Sequence, residues 1–331
     1  MPDRIKDETE IVQIFLAPLA AGMPGAFGLG DDAAVLSHPP GTDLVVSNDP
    51  VIAGVHFFPD DEARDIAWKA LAVNVSDLVA KGAKPIAYTM ALAFPEVPSK
   101  SWMTGFARGL DTAQRAFGCG LIGGDTDVTP GPLSIGITAF GLVEHNKIIL
   151  RRGAVAGDHV FVTGTIGDSA LGLLLQGGSQ KMTVSESDKD FLMSRYLRPI
   201  PRVEFIDTLR LYARSALDVS DGLVKDLARL VGENGLVLRV NDVPLSFAAS
   251  AVLGADPSVL RLVLTGGCDY EVLFAVPPGN VAMMRKSAAE AKINVAELGI
   301  LSSTTRGLSV VDAAGAEVLL PQSGYDHFSR L

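Results

Sequence analysis

The sequence predicts a two-domain α/β protein with mixed sheets, on three observations. At 331 residues the chain exceeds the size at which one hydrophobic core usually stops growing. Its 48% hydrophobic residues, 34 glycines and 20% charged residues describe a loop-rich but well-packed protein rather than a disordered or fibrous one. Segments with helical and with strand-like apolar spacing alternate along its length.

In order, a helix is expected at Thr9 to Ala20, followed by a glycine-rich loop ending at Asp32. Ala33 to Leu36 and Leu44 to Ser47 are short apolar runs bounded by turn residues, the pattern of buried strands. Glu62 to Lys81 carries apolar residues at helical spacing and stops at Lys81-Gly82 with Pro85 beyond. On that helix Asn74, Asp77 and Lys81 share one face. A strand at Ile86 to Leu92, a helix at Lys100 to Phe117, a GGDTD loop and a strand at Leu133 to Leu142 complete the first half. The polar stretch Glu144 to Asp158 marks a boundary, giving domains 1–148 and 149–331.

The second half restarts the alternation with a strand at Val160 to Thr163, a Gly164 to Gly167 loop and a helix at Asp168 to Leu175. After a polar stretch, Gly177 to Lys189, a further helix follows, then a helix at Leu223 to Gly232. Strands are expected at Leu236 to Val240, Leu262 to Thr265 and Glu271 to Val276, then a helix at Val281 to Ala291 and a polar C-terminal tail.

The formal net charge of −10 argues against nucleic acid, which requires clustered Lys and Arg. Cys119 and Cys268 are far apart, with neither a CxxC spacing nor a histidine cluster, so zinc and a disulfide framework are not indicated and a reducing cytoplasm fits. No apolar stretch reaches the roughly 18 residues of a membrane-spanning helix, and the N-terminus lacks the pattern of a secretory signal. No membrane partner is expected.

The chemistry is carried by four acidic clusters set beside glycine: Gly30 to Asp32, Gly123 to Asp127, Asp218 to Gly222 and Gly266 to Glu271. Carboxylates gathered in one pocket repel by about 4 kcal/mol per pair at about 4 Å and an effective dielectric near 20. A fold that collects several therefore brings a divalent cation, and oxygen-only donors favour magnesium, manganese or calcium over zinc. Gly28, Gly30 and Ala33 spell GxGxxA, but no strand precedes them and Pro39-Pro40 soon follows, so a dinucleotide fingerprint is rejected. GxxxxGK[ST], the protein-kinase signatures and GxSxG are absent. What remains is phosphoryl transfer at a carboxylate-held metal site. Asp31, Asp32, Asp49, Asp77, Asp125, Asp218 and Asp221 are the candidate holders, and Gly123, Gly124, Gly164 and Gly167 would let backbone N–H groups approach phosphates.

The succession GLGDDAAVL, SNDPVIAGVHF, AWKALAVNVSDLVAKGAKP, LIGGDTD, RRGAVAGDHVFVTGTIGDSALG, LDVSDGLVKDL, GGCDYEVLF and GYDHF closely resembles the thiamine-monophosphate kinase family, within the aminoimidazole-ribonucleotide-synthetase-like ATP-binding superfamily. The resemblance runs in order from Gly28 to Phe328. It implies a two-domain synthetase-like kinase fold and a homodimer formed through the N-terminal sheets, with each site between an N-terminal and a C-terminal domain. It further implies transfer of the γ-phosphoryl group of ATP to thiamine monophosphate with several Mg²⁺ ions. Asp32, Ser47, Asp49, Asp77, Asp125, Asp218 and Asp221 match metal positions, with Asp31 adjacent; Gly124, Arg151 and Ser220 match nucleotide contacts; His56 and Tyr325 match substrate positions. No general base is assigned, because the accepting phosphate monoester has a second pKa of about 6 and is mostly dianionic at neutral pH.

Two positions depart from the family pattern. Asn48 stands between Ser47 and Asp49 where the family has Thr, and its oxygen is expected to remain available to metal. Cys268 stands where the family has a substrate-binding Glu, a loss that Asp269 or Glu271 is expected to offset unless the acceptor differs. Another superfamily enzyme acting on an amide or selenide, or a non-catalytic nucleotide or thiamine phosphate sensor, are the alternatives.

Overall fold

The computed structural model describes residues 3–178, 182, 184–320 and 322–326. The chain divides into two compact units, Met1–Leu78 with Ala83–Lys147, and Val79–Gly82 with Ile148–Leu331.

The first unit begins with a helical segment that changes pitch. α1 (Glu8–Glu10) continues as a π-helical stretch, Ile11–Leu16, and a 3-10 turn, Ala17–Ala20. Pro18 stands in the first turn of the 3-10 piece, where the pitch changes, since proline offers no N–H to an α-helical ladder. Four strands follow, interleaved with two helices: β1 (Thr42–Ile52), α2 (Ala63–Ala80), β2 (Lys84–Phe94), α3 (Lys100–Phe117), β3 (Gly120–Val128) and β4 (Ser134–Glu144). They form one sheet in the order β1-β4-β2-β3. The β1–β4 and β4–β2 pairs are antiparallel and β2–β3 is parallel.

β4 alternates buried and part-exposed residues along its length, as a strand covered on one face does. α3 starts where Ser99 Oγ accepts the Trp102 N–H and ends at Gly118 in the left-handed conformation, two capping devices legible in sequence. Gly109 permits close approach on that helix, because a Cβ there would lie 2.3 Å from the Arg64 carbonyl oxygen.

The second unit contains β5 (His159–Thr163), α4 (Asp168–Gln176), α5 (Glu186–Leu197), α6 (Ile206–Tyr212), β6 (Ser215–Asp218), α7 (Leu223–Val231), β7 (Gly235–Arg239), α8 (Phe247–Ala255), α9 (Leu260–Thr265), β8 (Val272–Val276), α10 (Val281–Glu290), β9 (Val295–Ile300) and β10 (Gly307–Val311). An antiparallel sheet runs β6-β8-β5-β9, and β7 and β10 form a parallel pair. Its core joins Val160, Val162, Leu217, Val219, Leu227 and Leu273, all buried. The architecture is thus mixed α/β, as expected.

Several elements differ from the sequence expectation. Ala33–Leu36 is not a strand, and the GGDTD segment is not a loop but the body of β3, hydrogen-bonded to β2. Leu262–Thr265 belongs to α9, because a short apolar run does not by itself distinguish strand from helix. The tail that reads as polar contains β9 and β10, whose stability comes from pairing with β5 and β7 far away in sequence. Parts of the Gly177 to Lys189 stretch, and His327-Phe328 of the GYDHF segment, lie outside the described residues.

Candidate active site

In the first unit a cavity of about 380 Å³ collects Asp31, Asp32, Gly123, Gly124, Asp125 and Thr126 on a polar side, with Val12, Leu16, Leu29 and Leu121 among its apolar lining. Asp31 accepts the Asp32 N–H at 2.8 Å, and Asp125 accepts the Thr126 N–H at 2.9 Å. These one-residue turns leave oxygen lone pairs on both carboxylates for other donors or cations. Gly124 is required where it stands, because a Cβ would fall 1.8 Å from the Met90 carbonyl oxygen of the adjacent strand.

Ser47, Asp49 and Asp77 form a second group. Ser47 Oγ donates to Asp77 Oδ2 at 2.6 Å, tying β1 to α2. The Asp49 main chain is gripped by Asn74, whose Oδ1 accepts the Asp49 N–H at 2.8 Å and whose Nδ2 donates to the Asp49 carbonyl at 3.1 Å. Asn48 is not brought to this group by its side chain. Its Nδ2 donates to Thr138 Oγ1 at 2.8 Å and to the Ile137 carbonyl at 3.0 Å, on the opposite face of the sheet, because alternate residues of a strand point to opposite faces. By register, Asn48 pairs with Thr138, Thr138 with Thr89 and Thr89 with Gly123, so Asp125, two residues on, shares the Asn48 face.

His56 follows the end of β1 and is half-buried. Its Nδ1 accepts the Ile52 N–H at 3.0 Å, which places the ring proton of the neutral form on Nε2. Lys69 Nζ donates to the His56 carbonyl at 3.1 Å, fixing the turn.

In the second unit two loops lie side by side. Val219 N–H donates to the Glu271 carbonyl, Tyr270 N–H to the Val219 carbonyl and Cys268 N–H to the Ser220 carbonyl, at 2.8, 2.9 and 2.9 Å. Gly267 makes this approach possible, since a Cβ there would lie 2.2 Å from the Ser220 carbonyl oxygen. Asp218 ends β6 and is buried, and the β6 residue Ala216 donates its N–H to the carbonyl of Leu150, which sets the exposed Arg151 beside that strand. Asp221 pairs with Lys225 Nζ and with Arg229 Nη2, each at 2.9 Å. The backbone of Tyr325 docks on the same loop: its N–H donates to the Asp221 carbonyl at 2.9 Å and its carbonyl accepts from Lys225 Nζ.

Sequence reasoning missed the residue that anchors this loop. Asp226, fully buried, accepts the Asp221 N–H at 2.9 Å and pairs with Arg229 at 2.6 Å; burial pushes its carboxyl above the ordinary range. Only its position in the first turn of a helix after glycine hinted at such a role.

The 266–271 segment alternates in a way that overturns one expectation. Asp269 and Glu271 are buried, whereas Cys268 and Tyr270 are part-exposed with φ of 71° and 51°, a left-handed backbone uncommon for such residues. Asp269 accepts the Gly167 and Ser169 N–H groups at 2.8 and 3.2 Å, filling the N-terminus of α4, and burial raises its carboxyl to about 8. Glu271 accepts from Thr163, Arg195 and Arg202. Neither acid is available to replace a carboxylate at Cys268. Gly164 and Gly167 are not phosphate donors either: the Gly164 N–H donates to the Asn294 carbonyl and the Gly167 N–H to Asp269.

Among the described residues, no three acid, histidine or cysteine side chains stand close enough to hold a metal ion by themselves.

A cavity bordered by glycines and carboxylates on a mixed sheet, with no lysine-bearing phosphate loop, defines the class: residues 30–143 match the family model described as AIR synthase related protein, N-terminal domain. The chain is 41% identical over 297 residues to the thiamine-monophosphate kinase of Caulobacter vibrioides, covering 88% of this chain and 83% of that one. Among solved structures it is similar to the thiamine-monophosphate kinase from Stenotrophomonas maltophilia, with TM-score 0.78, 36% identity and coverage of 85% and 89%. It is also similar to AaThiL complexed with AMPPCP and TMP, with TM-score 0.75, 28% identity and coverage of 92% and 97%. The chain belongs to the thiamine-monophosphate kinase family.

Proposed function

We propose that this protein transfers the γ-phosphoryl group of ATP directly to the phosphate of thiamine monophosphate, giving thiamine diphosphate and ADP. Beyond family membership, the observation that carries the reading is the cavity edged by Asp31, Asp32, Gly124 and Asp125. Its apolar lining suits a nucleobase and its acidic side suits cation-bound phosphates. Asp31, Asp32 and Asp125 would hold one part of a magnesium set, and Ser47, Asp49 and Asp77 a second. Within the second unit Asp218 and Asp221 would offer carboxylates to a metal ion, for which Asp221 has to exchange Lys225 and Arg229. Magnesium contributes neutralisation of the phosphates as charge moves between them.

The chain's own groups bind and orient. Arg151 and Ser220 contact nucleotide in this reading, while His56, offering Nε2–H, and Tyr325 contact the acceptor. No side chain removes a proton, because the acceptor oxygen is already anionic. We also assign a homodimer: β1 is an edge strand, and Leu44 and Val46 on its outer face are 38% and 54% exposed, a surface that a second sheet would cover. Cys119 is buried and its thiol pushed up to about 12, a state suited to packing rather than chemistry, and it fits a cytoplasmic setting. One observation favours a second reading. With Cys268 in the loop and both neighbouring acids used internally, an altered acceptor of the same superfamily chemistry is the alternative.

Asp125→Asn and Asp218→Asn test the metal assignment. Each is expected to lower turnover on the order of 10²-fold or more while circular dichroism stays native. Normal turnover in both folded variants would remove the divalent-cation reading.

A further inference from the structure

We infer that Asn74 is a positioning residue that sets the spacing of the Ser47, Asp49 and Asp77 oxygens, and so tunes divalent-cation affinity without touching the cation. The inference rests on the metal reading of those three residues.

Asn74 is fully buried in the middle of α2, and its side chain makes three hydrogen bonds, all to main chain. Oδ1 accepts the Asp49 N–H, while Nδ2 donates to the Asp49 carbonyl at 3.1 Å and to the Ala70 carbonyl, one turn back, at 3.1 Å. The two bonds to Asp49 form the reciprocal pair that a neighbouring strand would make. β1 is the edge strand of its sheet, and the carboxamide meets the Asp49 peptide groups in the way a further strand would.

The donor and acceptor pattern allows one orientation only. A flipped amide would set NH₂ against the Asp49 N–H and oxygen against two carbonyls. Aspartate at this position would bring a buried charge toward the same two carbonyls, and alanine would take away the partner of the Asp49 N–H and carbonyl on α2. Asp77 lies one turn further along α2, where it accepts the Ser47 hydroxyl at 2.6 Å. Asn74 and Asp77 thus clamp Ser47 and Asp49 from one rigid helix. Removing the first clamp frees the Asp49 backbone while leaving every proposed oxygen donor present.

Mn²⁺ binding, read by electron paramagnetic resonance in the absence of nucleotide, tests this on the full chain. Wild type, Asp49→Asn, Asn74→Ala, the milder Asn74→Ser and Val75→Ala are compared. Val75 is fully buried on the same helix, so its alanine variant reports general loosening of α2. Loss of an orienting partner typically weakens metal affinity by about 10–100-fold, and that loss is expected in Asn74→Ala, with a smaller one in Asn74→Ser. Val75→Ala is expected to bind as wild type does. If Asn74→Ala does not fold, Asn74→Ser carries the comparison. Wild-type affinity in the folded Asn74 variants, with weakened binding in Asp49→Asn, would overturn the role of Asn74 alone. An equal loss in Val75→Ala would overturn it in favour of general helix packing. Unchanged binding in Asp49→Asn, or no binding in wild type, would overturn the metal reading beneath it.

Discussion

Replacing Glu271 by glutamine keeps the shape of a buried side chain and removes the carboxylate that pairs with both Arg195 and Arg202. Oε1 accepts from Arg195 Nη2 at 2.8 Å and from Arg202 Nη2; Oε2 accepts from Thr163 Oγ1 and Arg202 Nε, both at 2.7 Å. Glu271 has no solvent exposure, and the Arg195 side chain has 8%. In glutamine one of the two oxygens becomes an NH₂ donor facing guanidinium donors. Both arginines also lose their hydrogen-bonded counter-charge at a site where solvent compensates little. Breaking a buried pair from one side costs about 3–5 kcal/mol. Against a typical total of about 5–15 kcal/mol, the variant is expected to fold with a markedly lower urea midpoint. The assay is urea unfolding followed by far-ultraviolet circular dichroism, with the m-value compared to confirm that the same surface is exposed. Because Glu271 fixes the segment carrying Cys268 and Tyr270, KM for thiamine monophosphate is expected to rise as well. A stability change below about 1 kcal/mol would refute the reasoning, since it is the size expected of a solvated pair.

Three further outcomes follow from the same geometry. Burial raises Asp269 to about 8 and also lifts Asp168 and Asp226, so the folded state holds protons that the unfolded chain releases above the ordinary carboxylate range. Stability should therefore fall as pH rises from 5 to 8, by at most about 1.4 kcal/mol per pH unit for each proton, and Asp269→Asn should flatten the curve; a wild-type curve that rises over this window would contradict it. Gly124→Ala forces a Cβ onto the Met90 carbonyl and is expected to cost about 1–3 kcal/mol and to weaken nucleotide binding in a titration, whereas Gly254→Ala, in open space within α8, should be neutral or stabilising. Cys268→Glu should lower KM for thiamine monophosphate about tenfold, the lower end of a charge-assisted hydrogen bond; an unchanged KM would show that this side chain does not face the acceptor.

What sequence made legible was local. α3 coincides with its expected range because Ser99 and Gly118 write both ends into the chain, and α2 departs from its expected range by only one residue at each end. The acidic clusters beside glycine were also visible, since glycine marks places where backbones meet, as Gly124 and Gly267 do. Long-range pairing was not. β3 holds the GGDTD segment through β2, and β9 exists through β5, partners that no local window contains. Roles played through the main chain were equally hidden. Asn74 and Asp226 are ordinary helix residues until the structure shows them holding the peptide groups of Asp49 and Asp221. The part that Asp269 and Glu271 play could not be read from GGCDYE either, because the left-handed backbone at Cys268 and Tyr270 decides which side chains turn inward.

The central claim is phosphorylation of a phosphate acceptor by ATP. Its most direct test is incubation of the purified protein with magnesium-ATP, with and without thiamine monophosphate, measuring ADP and thiamine diphosphate chromatographically in the same sample. Equal amounts of the two products, formed only when the acceptor is present and abolished by a chelator, are the predicted result. Tight binding of both substrates without thiamine diphosphate, or ADP release that ignores the acceptor, would contradict it.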